Sequence, residues 1–263
     1  MSQAEIEKAF SRLPPLMDFV PGDFEITPLA GLTNYNFRLR NRVHDWVLRI
    51  PKPDTSRFID RDAEAHNQSL AFDLGIAPQV SWRDSAGTTL TPTLGSSRAL
   101  SVVDFGNDKL LSAILAPIQQ LHRSQLRFRG TADLNDLLCR YFELSSRVDQ
   151  QRLGPRMQQA ERVLSLLETR DNPYVASHND LMLDNLLLDD ERIWLIDWEF
   201  SAMASPYWDL ATLCNAANLD LKQSQRLLRL YCAGEQPMDE SVLFDYRGLL
   251  SLLSDCWMAA FAD

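Results

Sequence analysis

The chain of 263 residues lacks the features of several protein classes. Its four cysteines are far apart, at Cys139, Cys214, Cys232 and Cys256, and form neither a Cys-x-x-Cys pair nor a zinc-binding pattern with the histidines. No apolar run approaches the roughly 18 residues that span a bilayer, and the first residues lack the basic start and apolar core of a signal peptide. We therefore expect a cytoplasmic protein with reduced cysteines and no membrane partner.

Basic side chains are also scarce. The 26 lysines and arginines are outnumbered by 36 aspartates and glutamates, which gives a formal charge of −10. Because nucleic acids and anionic membranes repel a negative surface, this excess predicts that neither is a partner. The charge is compatible with a cationic substrate, although it also favours solubility in many cytoplasmic proteins.

The segment from His178 to Glu199 carries the strongest functional pattern, HNDLMLDNLLLDDERIWLIDWE. It places Asp180 and Asn185 on a short loop, and Asp197 at the end of an apolar strand predicted over Ile193–Ile196. The spacing His-x-Asp-x-x-x-x-Asn matches the catalytic loop of kinases, in which the aspartate accepts the proton of the attacking hydroxyl and the asparagine binds a metal ion. The pattern therefore predicts Asp180 as the catalytic base, with Asn185 and Asp197 as metal ligands.

Phosphoryl transfer explains why these residue types are needed. It requires mainly that the reactants are positioned and that the charge of the triphosphate is neutralised, which Mg²⁺ held by one or two carboxylates achieves. Histidine is not required as a ligand, so we interpret His178 as a structural residue that hydrogen-bonds the loop. The alternative is that Asp180 and Asn185 only form turns. Four spaced matches, followed by a strand and a second acid, favour the catalytic interpretation.

The motifs HNDLMLDN and LIDWEF, followed by Asp209-Leu210-Ala211, resemble those of the aminoglycoside phosphotransferase and choline kinase superfamily. Within it, IDWEF and CNAANLD look most like the choline and ethanolamine kinases, including bacterial LicA-type enzymes, with thiamine kinase a close neighbour. The resemblance implies a two-lobed, protein-kinase-like α+β fold with ATP and Mg²⁺ as cofactors. It also implies that Asp209 helps to fix the metal-binding segment, and a first-turn acid favoured by the helix dipole is the alternative.

A turn upstream of these motifs is a candidate phosphate loop. Residues Gly31–Phe37 join two strand-like runs, and backbone N–H groups with the side chains of Thr33 and Asn34 are suited to donate to phosphate oxygens. A plain hairpin is the alternative. A similar turn in the choline-kinase-like proteins favours the phosphate loop.

The strand predicted over Trp46–Ile50 carries one cation, Arg49, where kinases place their phosphate-binding lysine. A guanidinium group suits bidentate contact with phosphate and with a carboxylate. By analogy with the lysine–glutamate pair of kinases, we expect Glu64, in a helix predicted over Ile59–Leu74, to be that carboxylate. The alternative is that both residues are solvated surface charges.

The pattern along the chain predicts a β-rich lobe followed by a helical one. We expect a nucleotide-binding lobe over residues 1–103 and a catalytic, substrate-binding lobe over 104–263, with adenine bound by the backbone near Val102–Asp104. Strands are further predicted over Gln79–Trp82 and Arg98–Val103. Helices are predicted over Gln3–Leu13, Asp108–Ser124, Leu134–Val148, Pro155–Glu168, Pro206–Ala217, Lys222–Ala233 and Asp239–Ala262.

The resemblance also implies candidates for binding a small cationic alcohol. Glu199 adds negative charge, and Phe200 and Trp257 match the aromatic residues that choline kinases carry after Asp-Trp-Glu and in the last helix; aromatic faces attract quaternary ammonium ions. The last helix here has one tryptophan where those kinases tend to have two, and Trp257 could equally belong to the core. Core positions are the favoured interpretation for three other aromatic residues, Trp198, Tyr207 and Trp208.

Together these features predict an ATP-dependent kinase that phosphorylates the hydroxyl of choline or ethanolamine. Three alternatives remain, namely a thiamine kinase, an aminoglycoside phosphotransferase and a nucleotide-binding module without turnover.

Overall fold

A computed structural model of the chain describes residues 3–53, 58–170, 173–190 and 192–261. The N-terminal part contains α1 (Gln3–Arg12), β1 (Glu25–Leu29), β2 (Asn34–Arg40), β3 (Asp45–Pro51), α2 (Arg61–Asp73), β4 (Trp82–Arg83) and β5 (Thr89–Pro92). Its strands form one antiparallel sheet in the order β1-β2-β3-β5-β4.

One face of this sheet is apolar. Alternate residues of β2 and β3, including Phe37, Leu39 and Leu48, are buried in an N-terminal core with Phe10 of α1. Because successive side chains of a strand point to opposite faces, this alternation directs Arg49 to the other face of β3. The helix α2 lies on that side and carries the acid that pairs with Arg49.

The C-terminal part is helical and holds two small sheets. Its elements are β6 (Arg98–Ala99), α3 (Asp108–Arg123), α4 (Leu134–Leu144), α5 (Arg147–Glu168), β7 (Val175–Ser177), β8 (Leu186–Asp189), β9 (Arg192–Leu195), β10 (Ala202–Ala204), α6 (Pro206–Ala216), α7 (Leu221–Tyr231) and α8 (Glu240–Phe261). One sheet has the order β6-β8-β9, and the other pairs β7 with β10. In the part of the chain that the structure describes, no helix is long and apolar enough to cross a membrane.

The two small sheets position the functional segment. Strand β7 precedes the loop that carries Asp180 and Asn185, and the β8–β9 hairpin separates this loop from Asp197. The backbone N–H of Ile196 donates to the carbonyl oxygen of Asn185 at 3.0 Å, which joins the two ends of the hairpin. Side chains that are twelve positions apart in sequence therefore start from neighbouring backbone.

Several predicted strands differ from the structure. The strand predicted over Arg98–Val103 is wrong beyond Ala99, because Val102–Gly106 forms a 3-10 helix. The Asp104 carboxylate accepts hydrogen bonds from the backbone N–H and the hydroxyl of Ser101, and this local bonding competes with strand pairing. The strand predicted over Gln79–Trp82 begins only at Trp82. Strand β5 was not predicted, because the sequence from Asp84 to Ser97 is rich in turn-forming residues.

Two predicted helix boundaries are also wrong. The helix predicted over Leu134–Val148 ends at Leu144, and the one predicted to begin at Pro155 already begins at Arg147. Ser146 caps this second helix, since its hydroxyl accepts from the backbone N–H of Asp149 at 3.2 Å. Pro155 consequently lies inside α5 rather than at its start. The other helices agree with prediction to within about two residues at each end.

The lobe boundary and the adenine-binding backbone near Val102–Asp104 stay predictions. The N-terminal sheet ends at Pro92, and β6 already pairs with β8 of the helical part. Judged by strand pairing, the helical lobe therefore already begins before Arg98.

Candidate active site

The predicted base and one predicted metal ligand are direct neighbours. The Asn185 Nδ2 donates to the Asp180 side chain at Oδ2 and to its backbone oxygen, each at 2.9 Å. This leaves the Asn185 side-chain oxygen as a potential metal ligand. Burial of the Asp180 carboxyl group, together with the charges of Asp197 and Glu199, raises its pKa to about 8. A carboxylate with a pKa near neutrality suits a general base.

A buried carboxylate fixes the loop that carries Asp180 and Asn185 by accepting hydrogen bonds from its backbone. Asp209, on α6, accepts hydrogen bonds from the backbone N–H groups of His178 at 2.9 Å and Asn179 at 2.7 Å. Its Oδ2 is also 3.0 Å from Nε2 of His122 on α3. Burial alone would raise the pKa of Asp209, but the hydrogen bond from His122 and the nearby histidines hold the pKa below its ordinary value. Asp209 thus fixes the loop that carries Asp180, and His122 is a partner that sequence reasoning missed.

His178 has the structural role predicted for it. Its ring is buried, and Nε2 donates to the backbone oxygen of Ile196 at 2.9 Å, which ties the catalytic loop to the residue before Asp197. Burial lowers the pKa of His178 and therefore favours the neutral ring.

The predicted contact between Arg49 and Glu64 is confirmed, and it is part of a larger ion cluster. The Arg49 guanidinium donates to the Glu64 carboxylate and, at 2.6 Å, to Oδ1 of Asp197. It also lies 4.0 Å from the Glu199 carboxylate. Burial would lower the pKa of Arg49, but the three carboxylates, led by Asp197, raise it above its ordinary value. Arg49 is therefore a permanent cation beside a predicted metal ligand.

Two further arginines of the ion cluster were missed. Arg61 Nη1 lies 2.8 Å from one Glu64 oxygen and 3.3 Å from Oε2 of Glu199. Arg83 lies 3.4 Å from the other Glu64 oxygen. The position of Arg61 three residues before Glu64 on a helix was a usable signal, because such residues share a helix face. Arg83 gave no local signal, since only the sheet brings it to α2.

A glycine makes room for Arg61. Gly87, in the turn between β4 and β5, has a φ of +87°, and a Cβ built on it would lie 2.6 Å from Cδ of Arg61. The Arg61 side chain therefore occupies the space that any other residue at position 87 would fill.

The candidate phosphate loop lies against this cluster. Thr33 and Asn34 are buried, and Nδ2 of Asn34 donates to Oε2 of Glu199 and to the Thr33 hydroxyl, both at 3.0 Å. Lys52 fixes the other side of the loop, donating from Nζ to the backbone oxygens of Gly31 at 3.0 Å and Leu32 at 2.8 Å. Glu199 thus links the candidate phosphate loop to Arg49, which contacts Asp197.

The oxygen donors fit a magnesium ion that also binds nucleotide phosphates. Asn185 and Asp197 offer an amide oxygen and a carboxylate, and Mg²⁺ usually takes one or two carboxylates, with phosphates and water as its other ligands. Among the described residues, no group of three or more histidine, cysteine or acidic side chains is arranged to hold a metal alone. The two residues therefore suit a metal that arrives with the nucleotide.

The predicted acceptor residues lie in different environments. The Glu199 carboxylate is buried in the ion cluster. Phe200 is half-buried, and its backbone oxygen accepts from Asn179 Nδ2 at 3.0 Å. Trp257 is half-buried on α8, and its ring is 5.5 Å from that of Phe261. In agreement with the favoured interpretation, three aromatic residues belong to the core, namely Trp198, Tyr207 and Trp208.

Trp257 belongs to an aromatic cluster formed by Phe58, Tyr141, Trp257 and Phe261. The Phe261 ring lies at its centre, 5.0 Å from Phe58 and 5.7 Å from Tyr141. Burial raises the pKa of Tyr141 above its ordinary value, although the nearby Arg140 cation opposes this shift. Sequence reasoning missed Phe58 and Tyr141, because isolated aromatic residues carry no local signal of their position.

Comparison with known proteins identifies the chain. Residues 25–241 match the family described as "Phosphotransferase enzyme family" (APH). The chain belongs to this family. Protein LicA of Haemophilus influenzae is 31% identical to this chain over 208 residues. The aligned region covers 78% of this chain and 61% of LicA. The alignment thus spans less than two thirds of that relative.

Solved structures with the same fold agree with this assignment. A choline/ethanolamine kinase family protein from Mesorhizobium loti superposes with a TM-score of 0.79 and 26% identity, over 98% of this chain and 85% of that one. The choline kinase LicA from Streptococcus pneumoniae superposes with a TM-score of 0.84 and 21% identity, over 98% of this chain and 90% of its own. The predicted family and the two-lobed, kinase-like α+β fold are confirmed. The chain is an enzyme of phosphotransferase type.

Proposed function

We propose that this phosphotransferase transfers the γ-phosphate of ATP to the hydroxyl group of a small cationic alcohol, choline or ethanolamine, in the cytoplasm. One observation supports the acceptor most directly: Phe58 of the aromatic cluster lies three residues before Arg61, and Arg61 is 3.3 Å from Oε2 of Glu199, so one short segment connects the aromatic cluster to the ion cluster. The names of the relatives, LicA and a choline/ethanolamine kinase family protein, support the same acceptor class.

The nucleotide side of the mechanism rests on charge. Arg49 is held by Glu64 and is placed to clamp phosphate oxygens, while Thr33 and Asn34 are placed to donate to them from the loop. Asn185 and Asp197 would hold Mg²⁺, which supplies neutralisation of the triphosphate charge when bound. For Asn34 to donate to phosphate oxygens, its hydrogen bond to Glu199 must open. The Asn34 amide then donates to phosphate oxygens in place of the Glu199 carboxylate.

The acceptor must lose a proton from its hydroxyl group, and its ammonium group must be bound. Asp180 orients the acceptor hydroxyl and accepts its proton, and Asn185 holds the Asp180 carboxylate in place. The ammonium group of the acceptor is attracted by the faces of the aromatic rings and by the charge of Glu199. Because a quaternary ammonium ion is weakly hydrated, the aromatic cluster favours choline over ethanolamine.

An acceptor panel tests this proposal. Release of ADP from ATP and Mg²⁺ is measured with choline, ethanolamine, thiamine, homoserine and kanamycin, using Asp180→Asn as the background control. We expect the highest kcat/KM with choline, and ethanolamine second. Preference for thiamine or kanamycin would assign the site to one of those kinases. Stabilisation of the protein by ATP with no ADP release for any acceptor would instead support a nucleotide-binding module without turnover.

A further inference from the structure

Phe58 joins the N-terminal part of the chain to the aromatic cluster. It precedes α2, yet its ring packs edge-to-face on Phe261 of α8, at 5.0 Å and 64°, and on Tyr141 of α4, at 6.5 Å and 80°. Three of the four rings therefore come from the helical lobe, and the fourth comes from the segment that leads into the helix of Glu64. Edge-to-face pairs of this kind are favourable and directional.

The same short segment reaches the ion cluster at its other end. Arg61 lies three residues after Phe58 and contacts both Glu64 and Glu199. Between them, Ile59 is buried and the Asp60 carboxylate caps α2 by accepting from the backbone N–H groups of Asp62 at 3.1 Å and Ala63 at 2.9 Å. The cap and the buried isoleucine hold the chain in a defined conformation, so the Phe58 ring and the Arg61 guanidinium are fixed relative to each other.

We propose that Phe58 is a specificity-determining residue that contacts the cationic group of the acceptor, which rests on the proposed function of this site. Its ring adds a π face from the N-terminal lobe to the faces of Tyr141, Trp257 and Phe261. The acceptor site is then complete only when the segment before α2 is in place beside the helical lobe. Arg61 anchors that segment to Glu64 and Glu199 independently of Phe58. A substitution at Phe58 should therefore change the affinity for the acceptor and leave the nucleotide contacts intact.

Substitutions that separate the π face from simple packing test this role. Phe58→Leu retains an apolar side chain of similar size without a π face, and Phe58→Trp retains the face. Phe142→Leu, on the same helix as Tyr141 and also half-buried, is the matched control outside the aromatic cluster. Binding of choline and of its neutral analogue 3,3-dimethylbutan-1-ol to the full chain is measured by calorimetry, with steady-state kinetics for choline and ATP alongside.

The expected result is a selective loss of affinity for the cation. Phe58→Leu should weaken choline binding and raise its KM about tenfold, with binding of the neutral analogue and the KM for ATP changed less than about twofold. Phe58→Trp should restore choline binding, and Phe142→Leu should leave it unchanged. Equal loss for choline and the neutral analogue, or no loss for either, would overturn the role of Phe58. If the unsubstituted chain binds ATP but not choline, the proposed acceptor itself is wrong, and this inference with it.

Discussion

His122 on α3 and Asp209 on α6 are joined by a hydrogen bond of 3.0 Å, and both side chains are buried. The same Asp209 carboxylate accepts the backbone N–H groups of His178 and Asn179, so one buried charge holds the loop that carries Asp180. His122 in turn lies 2.8 Å from the hydroxyl of Tyr231 on α7. The position of the proposed base therefore depends on three helices of the second lobe.

Replacing Asp209 by asparagine should destabilise the fold. The amide offers one acceptor oxygen and no charge in place of a carboxylate that accepts three hydrogen bonds, so we expect a loss of about 3 kcal/mol in the free energy of unfolding. Urea denaturation measures this loss. Asp220→Asn is the matched control, because Asp220 is an exposed cap of α7 and asparagine caps equally well. A similar small effect of both substitutions would contradict the role of Asp209.

The contribution of Asp209 should also depend on pH. Its pKa is lower in the folded chain than the value of about 3.9 for an unfolded aspartate, so the folded state binds the proton less tightly. This stabilisation is complete above the unfolded pKa and is lost as the pH falls through the folded pKa. We expect the stability difference between the unsubstituted chain and Asp209→Asn to be constant near neutral pH and to shrink below about pH 4. Urea denaturation between pH 2 and 7 measures the difference, and a constant gap would argue against it.

Asp180→Asn should abolish turnover while nucleotide binding is preserved. The asparagine cannot accept the hydroxyl proton, and loss of a general base lowers kcat by about 10²- to 10⁴-fold. Asn185 keeps its hydrogen bond to the backbone oxygen of residue 180, so the loop retains its shape. Initial rates and the thermal shift with ATP and Mg²⁺ measure the two effects. Asp184→Asn, an exposed acid on the same loop, should leave both unchanged; an unaltered rate for Asp180→Asn would remove this residue from the mechanism.

Gly87→Ala should impair catalysis without removing any polar group. The added methyl group would meet Cδ of Arg61 and displace its guanidinium from Glu64 and Glu199, which we expect to lower kcat/KM for ATP about ten- to a hundredfold. Gly234→Ala is the matched control. Gly234 has a φ of +85°, close to that of Gly87, but nothing lies within 4 Å of the position that an alanine Cβ would occupy there. Gly234→Ala should lose about 1 kcal/mol of stability from its positive φ, Gly87→Ala should lose more because a buried ion contact is also disturbed, and only Gly87→Ala should lose activity. Equal activity of the two would show that Arg61 tolerates displacement.

Features formed by residues close together in sequence, or placed by analogy with kinases, were predicted correctly. Asp180, Asn185 and Asp197 belong to one short segment, so their spacing alone indicated a common site. The pair of Arg49 and Glu64 was predicted by analogy, because kinases place a cation and an acid on the corresponding strand and helix. The fold class followed from the same motifs.

Features built by distant pairing gave no such signal. Strand β6 is two residues long and pairs with Leu187 and Leu188, so no local alternation marks it. Phe58 and Tyr141 are 83 positions apart and meet only in the folded chain, where α4 packs on α8. Arg83 reaches Glu64 through the order of strands in the first sheet. Such contacts depend on how the elements assemble, which residue types and local spacing do not encode.

The hydrogen bond between Ile196 N–H and the Asn185 carbonyl oxygen has a further consequence for binding. It fixes the backbone of Asn185 beside that of Asp197, which has a φ of +65°. Such a backbone conformation is uncommon outside glycine, and aspartate and asparagine tolerate it better than most residues. If Asn185 and Asp197 hold Mg²⁺ as proposed, the backbone of both ligands is already ordered by folding, so less of the entropic cost of ordering them would fall on binding.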